Sequence, residues 1–473
     1  MTLYADLTRE IRNGPRGAKV GALFDMDRTL LAGFSSLLFF QERLLSGRLA
    51  PRDLVEALSA AVSFELGRIG FSGLVTGAMG MLRGVSEAAL EELGERIFEE
   101  QLAGRIYPEA RALVTEHRRR GHTLAVISSA TRFQVEPIAR DLGIEHVLCT
   151  QLEVQNGVFT GRVIKPTCYG EGKALAAREL AILYGLDLSA SYFYTDSEED
   201  LPLLEIVGRP RPTNPSRSLA GISRERGWPI KRFRSRDRPS LEALLRTGLV
   251  ASSVMPSFLL GLPTLLLNRT RRQAINLSLT SFGELATALA GIDLHVEGEA
   301  NLWSARPAVF VFNHQSAIDP VLLCRLLRRD FVGLAPTGAR CHPIYGPWLR
   351  LAGTLFVEDL DRDPPASPPE PALRALSQGL SIAISPEGTR SPSPRLGPLR
   401  PGAFLLALAG RVPVVPIVLR NSHDALPKGA AVIRPATVEV VVHPPISTEG
   451  WTEAGLSQEI EEIRQLYVET LFA

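Results

Sequence analysis

Three apolar runs in the first half of the chain are too short for helices, and each meets a small polar or acidic residue. KVGALF (19–24) stops at Asp25, TLAVIS (123–128) closes on Ser128, and ASYFYT (190–195) stops at Asp196. A helical pattern follows each. Repeated, this rhythm predicts an α/β domain with a Rossmann-like parallel sheet and helices on its faces. In such sheets chemistry collects where the carboxyl ends of the strands meet the loops. Residues 35 to about 105 interrupt the rhythm. They are rich in Leu, Ala, Glu and Gly at helical spacing with no clear strand, which predicts a helical insertion after the first strand.

A chain of 473 residues exceeds one ordinary core and suits two domains with a connector. From Leu294 a second strand-rich block begins with LHVEGE. It continues through PAVFVFN (307–313), TLFVE (354–358), SIAIS (381–385), VPVVPIVL (412–419) and ATVEVVV (436–442), which predicts a second α/β domain. DPPASPPEP (363–371) and SPSPRLGPLRP (391–401) are too proline-dense for helix or central strand and are expected as loops. The expected division is therefore 1–238, a connector over 239–293, and 294–473.

Hydrophobic content of 45% with 22% charged residues is globular, so wholesale disorder is excluded. A net charge of +1 offers no global field for nucleic acid. Cys149, Cys168, Cys324 and Cys341 lie far apart without a CxxC pair, which favours reduced thiols over a disulfide framework or zinc site. The first twenty residues lack the apolar stretch of a signal peptide, so no export is expected.

Thr247–Asn268 is a run of 22 residues without a charge, with Arg246 before it and Arg269, Arg271 and Arg272 after it. It is long enough to span a bilayer. Pro256, Gly261 and Pro263 fall inside it, and the milder amphipathic stretch 277–291 follows. A monotopic helical hairpin dipping into one leaflet is the favoured reading; a true span and a buried interdomain helix are the alternatives. The basic run 209–238, with ten Lys or Arg against two Asp or Glu, is expected to belong mostly to the first domain's last strand and helix.

Asp25-Met26-Asp27-Arg28-Thr29 follows the first strand directly. Two carboxylates two apart on an extended segment point to opposite sides, but a turn aims both at one phosphate and one metal. Phosphoryl transfer through an enzyme carboxylate needs a nucleophile and an acid for the leaving alkoxide. The plainer reading of the motif alone is a pair of carboxylates at a helix cap. Ser128, Lys173 after GEG, and Asp196 with Asp200 add the remaining polar groups in order. In this set the chain resembles the haloacid dehalogenase superfamily, in its phosphoserine-phosphatase-like branch with a helical cap, over residues 19 to about 233. The resemblance implies that Asp25 attacks phosphorus and that Asp27 is the acid and then the base. It implies that Ser128 and Lys173 hold the phosphoryl oxygens, and that Asp25, Asp27, Asp196 and Asp200 form a Mg²⁺ site. In phosphoserine phosphatases a glutamate nine positions after the nucleophile takes the substrate amine. Here that position is Phe34, which cannot pair an ammonium.

Asn313-His314-Gln315-Ser316-Ala317-Ile318-Asp319 follows the strand PAVFVF. At this spacing Asp319 can fix the tautomer of His314 and leave its far nitrogen free to take a proton from an alcohol. The plainer alternative is that Asp319, followed by Pro320, caps a helix. With GTLFVED, SPEGTR and VPVVPI, these residues resemble the 1-acylglycerol-3-phosphate acyltransferases over about 294–473. The resemblance implies His314 as general base, Asp319 as its partner, and Glu387, Gly388 and Arg390 as shapers of the acceptor site. It implies acyl-CoA or acyl-carrier protein as donor, attacked without a covalent enzyme intermediate. Where the family's second motif usually ends in arginine, this chain has Asp359. The usual lysine before the Pro-x-x-Gly turn is missing from LAPTGAR (334–340), and Ser385 replaces a third-motif Phe. Arg340, Arg362 and Arg390 are the candidates to supply the acceptor charge.

The expected protein is thus a bifunctional lipid enzyme at the cytoplasmic side of a membrane, working on lipid substrates. It would acylate lysophosphatidic acid to phosphatidic acid, with phosphatidic acid as one candidate phosphatase substrate. The alternatives are a phosphatase for an unrelated soluble phosphomonoester, or one domain serving as a non-catalytic lipid-docking module.

Overall fold

The computed structural model describes residues 4–45, 59, 80–236, 239–341, 345–357 and 368–472. The chain divides into two compact units, Met1–Arg238 and Pro239–Ala473. Much of the expected helical insertion, 46–58 and 60–79, lies outside the described residues, as do Asp359, Arg362 and most of the first proline-rich loop.

The first unit contains β1 (Gly21–Phe24), β2 (Thr123–Thr131), β3 (His146–Thr150), β4 (Leu152–Gln155), β5 (Val158–Val163), β6 (Tyr192–Thr195) and β7 (Arg209–Pro212). Five of these form a parallel sheet in the order β3-β2-β1-β6-β7, and β4 pairs with β5 as a separate antiparallel hairpin. Helices cover both faces of the sheet. The centre of β1 and β6 is therefore wholly buried, Ala22 to Phe24 and Tyr192 to Tyr194, and the sequence reads as continuous apolar runs rather than alternation. β7 reads Arg-Pro-Arg-Pro, which a central strand could not tolerate. At the sheet edge a proline without an N–H costs little. Glu10, on the helix Ala5–Arg12, receives Arg211 Nε at 3.0 Å and Lys231 Nζ at 2.9 Å, so part of the basic run is spent inside this unit. The cap opens with the helix Ser35–Leu45 and includes the helix Glu87–Ile97.

The second unit holds β8 (Ile292–Glu297), β9 (Val309–Phe312), β10 (Phe331–Pro336), β11 (Leu355–Val357), β12 (Ser381–Ile384), β13 (Val414–Leu419) and β14 (Ala436–Val442). They form one sheet in the order β11-β10-β12-β9-β13-β14-β8. Only the β13–β14 pairing is antiparallel, so β14 and β8 run against the rest. β13 is interior yet carries Pro416, paired with Val311 of β9. Tyr467, on the helix Leu456–Phe472, donates its hydroxyl to the Val311 carbonyl at 2.6 Å. Pro416 turns its backbone toward β14, where its carbonyl accepts from His443 N at 3.0 Å, so the proline costs no hydrogen bond to β9 and Tyr467 ties the C-terminal helix to the strand.

The segment expected as a connector packs into this second unit. Leu241–Ser252, Val254–Leu260 and Leu262–Asn268 follow one another as helices, the backbone turns at Arg269 (φ 54°), and Arg271–Ala290 follows. Ser278 Oγ donates to the Phe258 carbonyl at 3.3 Å, which joins the two arms. Arg271–Ala290 packs in turn on the helix Asp319–Leu327; a Cβ on Gly283 would lie 2.4 Å from the Arg325 nitrogen, so only glycine permits this approach. Leu241–Asn268 is long and apolar enough to cross a membrane, and most of it is exposed, with Leu241, Leu245, Leu266 and Leu267 each at 60% or more.

Candidate active sites

In the first unit Phe24 of β1 pairs with Val126 of β2 and Tyr194 of β6, so Asp25 and Asp196 follow the ends of β1 and β6, while Ser128, still paired with Cys149 of β3, lies two residues past the last β1–β2 pair. Asp25 N donates to the Tyr194 carbonyl at 2.8 Å. The Met26 carbonyl then collects the N–H groups of Thr29, Leu30 and Leu31, and this tight turn brings Asp27 round. Ser128 is buried, its Oγ accepting from Ala130 N at 3.2 Å, and β2 runs on to Thr131 through a register shift.

Lys173, in the first turn of the helix Glu171–Tyr184, lies between Asp25 Oδ1 at 2.6 Å and Asp200 Oδ2 at 2.8 Å. Thr195 Oγ1 donates to the same Asp200 oxygen at 2.5 Å. Asp27 spends both oxygens on Ser35, accepting from its N–H at 2.9 Å and from its hydroxyl at 3.2 Å. Gln134 steadies that serine through its amide at 3.3 Å, and its own carbonyl oxygen accepts from Thr131 N. Arg28 Nη1 pairs with Asp196 Oδ2 at 3.0 Å.

Burial dominates the electrostatics. It pushes Asp25 up to about 6 against the pull of Lys173, and Asp27 up to about 7 despite the Ser35 hydrogen bonds. Asp196 rises to about 7 through burial and repulsion from Asp25. Burial opposes the charge on Lys173, but Asp200 and Asp25 overcome it and hold the ammonium above the usual lysine range. Negative charge therefore exceeds what Lys173 and Arg28 neutralise.

The expected four-carboxylate metal site is narrowed by this geometry. Among the described residues no three His, Cys, Asp or Glu side chains converge as a metal cluster. Asp27 spends both oxygens on Ser35, and Asp200 takes both Lys173 and Thr195. Asp25 and Asp196 each spend one oxygen, on Lys173 and Arg28, and of the neighbouring carboxylates Asp25 repels Asp196 most. They are hard oxygen donors, buried and mutually repelling, and a Mg²⁺ ion fits them on both counts.

In the second unit β9 delivers the NHQSAID turn. Asn313 closes a two-way hydrogen bond with Leu419 of β13, 2.8 Å to its carbonyl and 2.7 Å from its N–H. The fully buried Asp319 accepts at Oδ2 from His314 Nδ1 at 2.8 Å, Gln315 N at 2.8 Å and Ser316 N at 2.9 Å. The proton on Nδ1 leaves Nε2 as the basic nitrogen. Asp319 makes no side-chain cap to its own helix, so the capping alternative does not describe it; the carboxylate points back at the histidine turn.

Glu387 bridges the site from below, accepting from His314 N at Oε1 and from Gly397 N at Oε2, each at 2.7 Å. Burial raises its pKa, and these two N–H groups oppose the rise. Gly388 carries φ 73°, a turn that an L side chain would strain. Ser391 N donates to the His314 carbonyl at 2.7 Å, which sets the adjacent Arg390 close to the dyad, and the Arg390 carbonyl accepts from Lys428 Nζ at 3.3 Å. Arg340 is exposed on the turn after β10.

Ser35, Gln134, Thr195 and Lys428 did not stand out in the sequence. Each is brought in by a loop or strand end remote in the chain or by an unremarkable polar residue, and no local pattern marks it.

Two parallel-strand edges, one furnished with a carboxylate–lysine cluster and the other with a His–Asp dyad, define a hydrolase unit and a transferase unit. The chain belongs to the haloacid dehalogenase-like hydrolases through residues 22–205 and to the acyltransferases through residues 293–420. It is 35% identical over 227 residues to phosphoserine phosphatase SerB1 of Mycobacterium tuberculosis, covering 47% of this chain and 74% of that protein. It is 32% identical over 193 residues to a 1-acyl-sn-glycerol-3-phosphate acyltransferase of Limnanthes alba, covering 40% of this chain and 67% of that protein. Among solved structures, the acyltransferase PlsC from Thermotoga maritima is similar at 26% identity and a TM-score of 0.42, with 50% of this chain and 98% of that one covered.

Proposed function

We propose that the chain is a bifunctional glycerolipid enzyme of the membrane surface. The second unit moves an acyl group from acyl-CoA or acyl-carrier protein to lysophosphatidic acid, and the first removes the phosphate of the phosphatidic acid so made, giving diacylglycerol. The observation that carries this reading is the His314–Asp319 dyad in the same compact unit as an exposed leucine face. His314 Nε2 takes the proton of the acceptor hydroxyl as its oxygen attacks the thioester carbonyl; buried Asp319 balances the imidazolium, which gives the proton to the thiolate expelled when the C–S bond breaks. Arg390 is the acceptor-phosphate candidate nearest His314 in hydrogen-bonded sequence.

The Leu241–Asn268 arm would lie in the cytoplasmic leaflet as one limb of a monotopic hairpin, its leucines among acyl chains and Arg269 and Arg271 among anionic headgroups. A shared membrane keeps the product of one site concentrated at the other.

In the phosphatase, Asp25 would attack phosphorus while Lys173 and Ser128 hold the phosphoryl oxygens. Asp27, kept protonated near neutrality by burial, would protonate the leaving alkoxide and then take a proton from the water that hydrolyses the aspartyl-phosphate, releasing phosphate and freeing Asp25. Asp25 and Asp196 would hold Mg²⁺, whose charge offsets that of the transferring group. The relative from Mycobacterium tuberculosis carries phosphoserine in its name. Here Phe34 is exposed where an ammonium would need a carboxylate, which favours a substrate without an amine.

The test is product analysis by mass spectrometry. Pure enzyme given lysophosphatidic acid, acyl-CoA and Mg²⁺ should form phosphatidic acid first and diacylglycerol second. Accumulation of phosphatidic acid without diacylglycerol would show the coupled pathway to be wrong, and a panel of soluble phosphate esters would then identify the phosphatase substrate.

A further inference from the structure

Arg28 sits inside the DMDRT motif without an assigned role, and its backbone is held in the left-handed region at φ 58°. An arginine seldom adopts that conformation unless its surroundings impose it. Here they do. Arg28 N donates to the Gly33 carbonyl at 3.1 Å, and its own carbonyl accepts from Asn214 Nδ2 at 3.1 Å. Asn214 is pinned in turn by its N–H to the Lys231 carbonyl at 2.9 Å and by Phe233 N on its Oδ1 at 2.8 Å. The loop is therefore built to aim this one side chain, and it aims the guanidinium at Asp196 Oδ2, 3.0 Å away.

We propose that Arg28 is an internal counter-ion that competes with the divalent cation for Asp196 and gives the carboxylate up when the metal binds. The inference rests on the reading of Asp196 as a metal-side carboxylate. A Mg²⁺ ion bonded to the same oxygen at about 2.0–2.1 Å would lie within roughly 5 Å of the guanidinium, where like charges repel. The two cations cannot both be comfortable there. Asp196 is nearly inaccessible, its side chain 8% exposed, whereas the Arg28 side chain is 41% exposed. While paired with Asp196 the guanidinium carbon already lies 5.9 Å from the centre of the Phe34 ring, so a guanidinium leaving the carboxylate stays within reach of an aromatic face. Arg28 thus holds the carboxylate cluster together without metal and sets how tightly metal is taken.

The experiment is calorimetric titration of Mg²⁺ into the full chain at pH 7.5, read without turnover. Arg28→Asn removes the charge with a residue that tolerates the left-handed backbone. It should bind Mg²⁺ about fivefold more tightly, the factor a partly exposed ion pair is worth. Arg28→Lys, which keeps the charge, should stay near wild type, and Asp196→Asn should abolish the binding heat. Equal or weaker Mg²⁺ affinity in Arg28→Asn would overturn the proposal, as would the absence of Mg²⁺ binding in both wild type and variant. Ester hydrolysis is a separate readout: a chain that shows this metal-binding pattern yet releases no phosphate would overturn the phosphatase reading and leave the competition standing.

Discussion

Both sites lie where parallel strands end, yet they solve charge in opposite ways. The first unit crowds Asp25, Asp27, Asp196 and Asp200 into a buried space with one lysine and one half-exposed arginine, and three of those acids are driven well above the ordinary carboxylate range. The second unit buries Asp319 completely but surrounds one oxygen with two backbone N–H groups and an imidazole. One site is left wanting a cation; the other is balanced by its own backbone. The same strand-end architecture therefore serves phosphoryl transfer, where charge must be imported, and acyl transfer, where a proton needs only a place to go.

The comparison breaks most sharply by crossing two variants. Asp25→Asn should reduce phosphate release to background while acyl transfer stays at wild-type rate. His314→Ala should cut acyl transfer by ~10²–10⁴-fold and leave phosphate release from added phosphatidic acid unchanged. Loss of both activities in either variant would mean that the sites are not independent. Asp319→Asn should cost roughly 10²-fold in acyl transfer, at the low end of general-base effects, because the buried counter-charge to His314 is gone. Full activity there would reduce Asp319 to a turn-former.

The cation demand of the first site has a pH signature. Asp25 at about 6 and Asp196 at about 7 are raised above their ordinary 3.8. Between these values the folded state holds protons that the unfolded chain has lost, so their contribution to stability is present at low pH and is lost as pH rises through 6 to 7. Mg²⁺ must displace those protons. Its thermal stabilisation of the first unit should therefore be larger at pH 8 than at pH 5.5, and differential scanning calorimetry with and without Mg²⁺ reads it directly. A shift independent of pH would remove these two acids from the metal site.

The smallest effect belongs to the second sheet. Tyr467→Phe deletes the hydroxyl that serves the Val311 carbonyl and should cost about 1–3 kcal/mol. At about 2–4 °C per kcal/mol for a unit of this size, the melting point of the second unit should fall by roughly 2–12 °C, with the first unit unmoved.

Much of this was legible beforehand because polar side chains that can carry chemistry in parallel-sheet folds sit at strand ends, where an apolar run meets its first polar residues. Asp25, Asp196 and His314 are placed in this way. β7 was legible as the strand that opens the basic run 209–238, its prolines tolerated at the sheet edge, whereas β10, which ends in Pro336, carried no strand signal of its own. The orientation of Asp200 toward Thr195 and Lys173 is not encoded in its spacing from Asp196. The Asp319 ambiguity between cap and catalytic partner could be settled only by where the carboxylate points, which depends on the closure of the preceding turn.

Tyr467 also bears on the order in which the protein can be made. The contact of its hydroxyl with Val311 spans 156 residues, so the helix Leu456–Phe472 can lock onto the second sheet only after it has been synthesised. The first unit draws its sheet, its cap and its carboxylate cluster from within Met1–Arg238. During translation the phosphatase half can reach its final form while the acyltransferase half still lacks a structural residue. In that interval the leucine-rich arm at Leu241–Asn268 has already emerged, so membrane contact can precede completion of the domain that would use it.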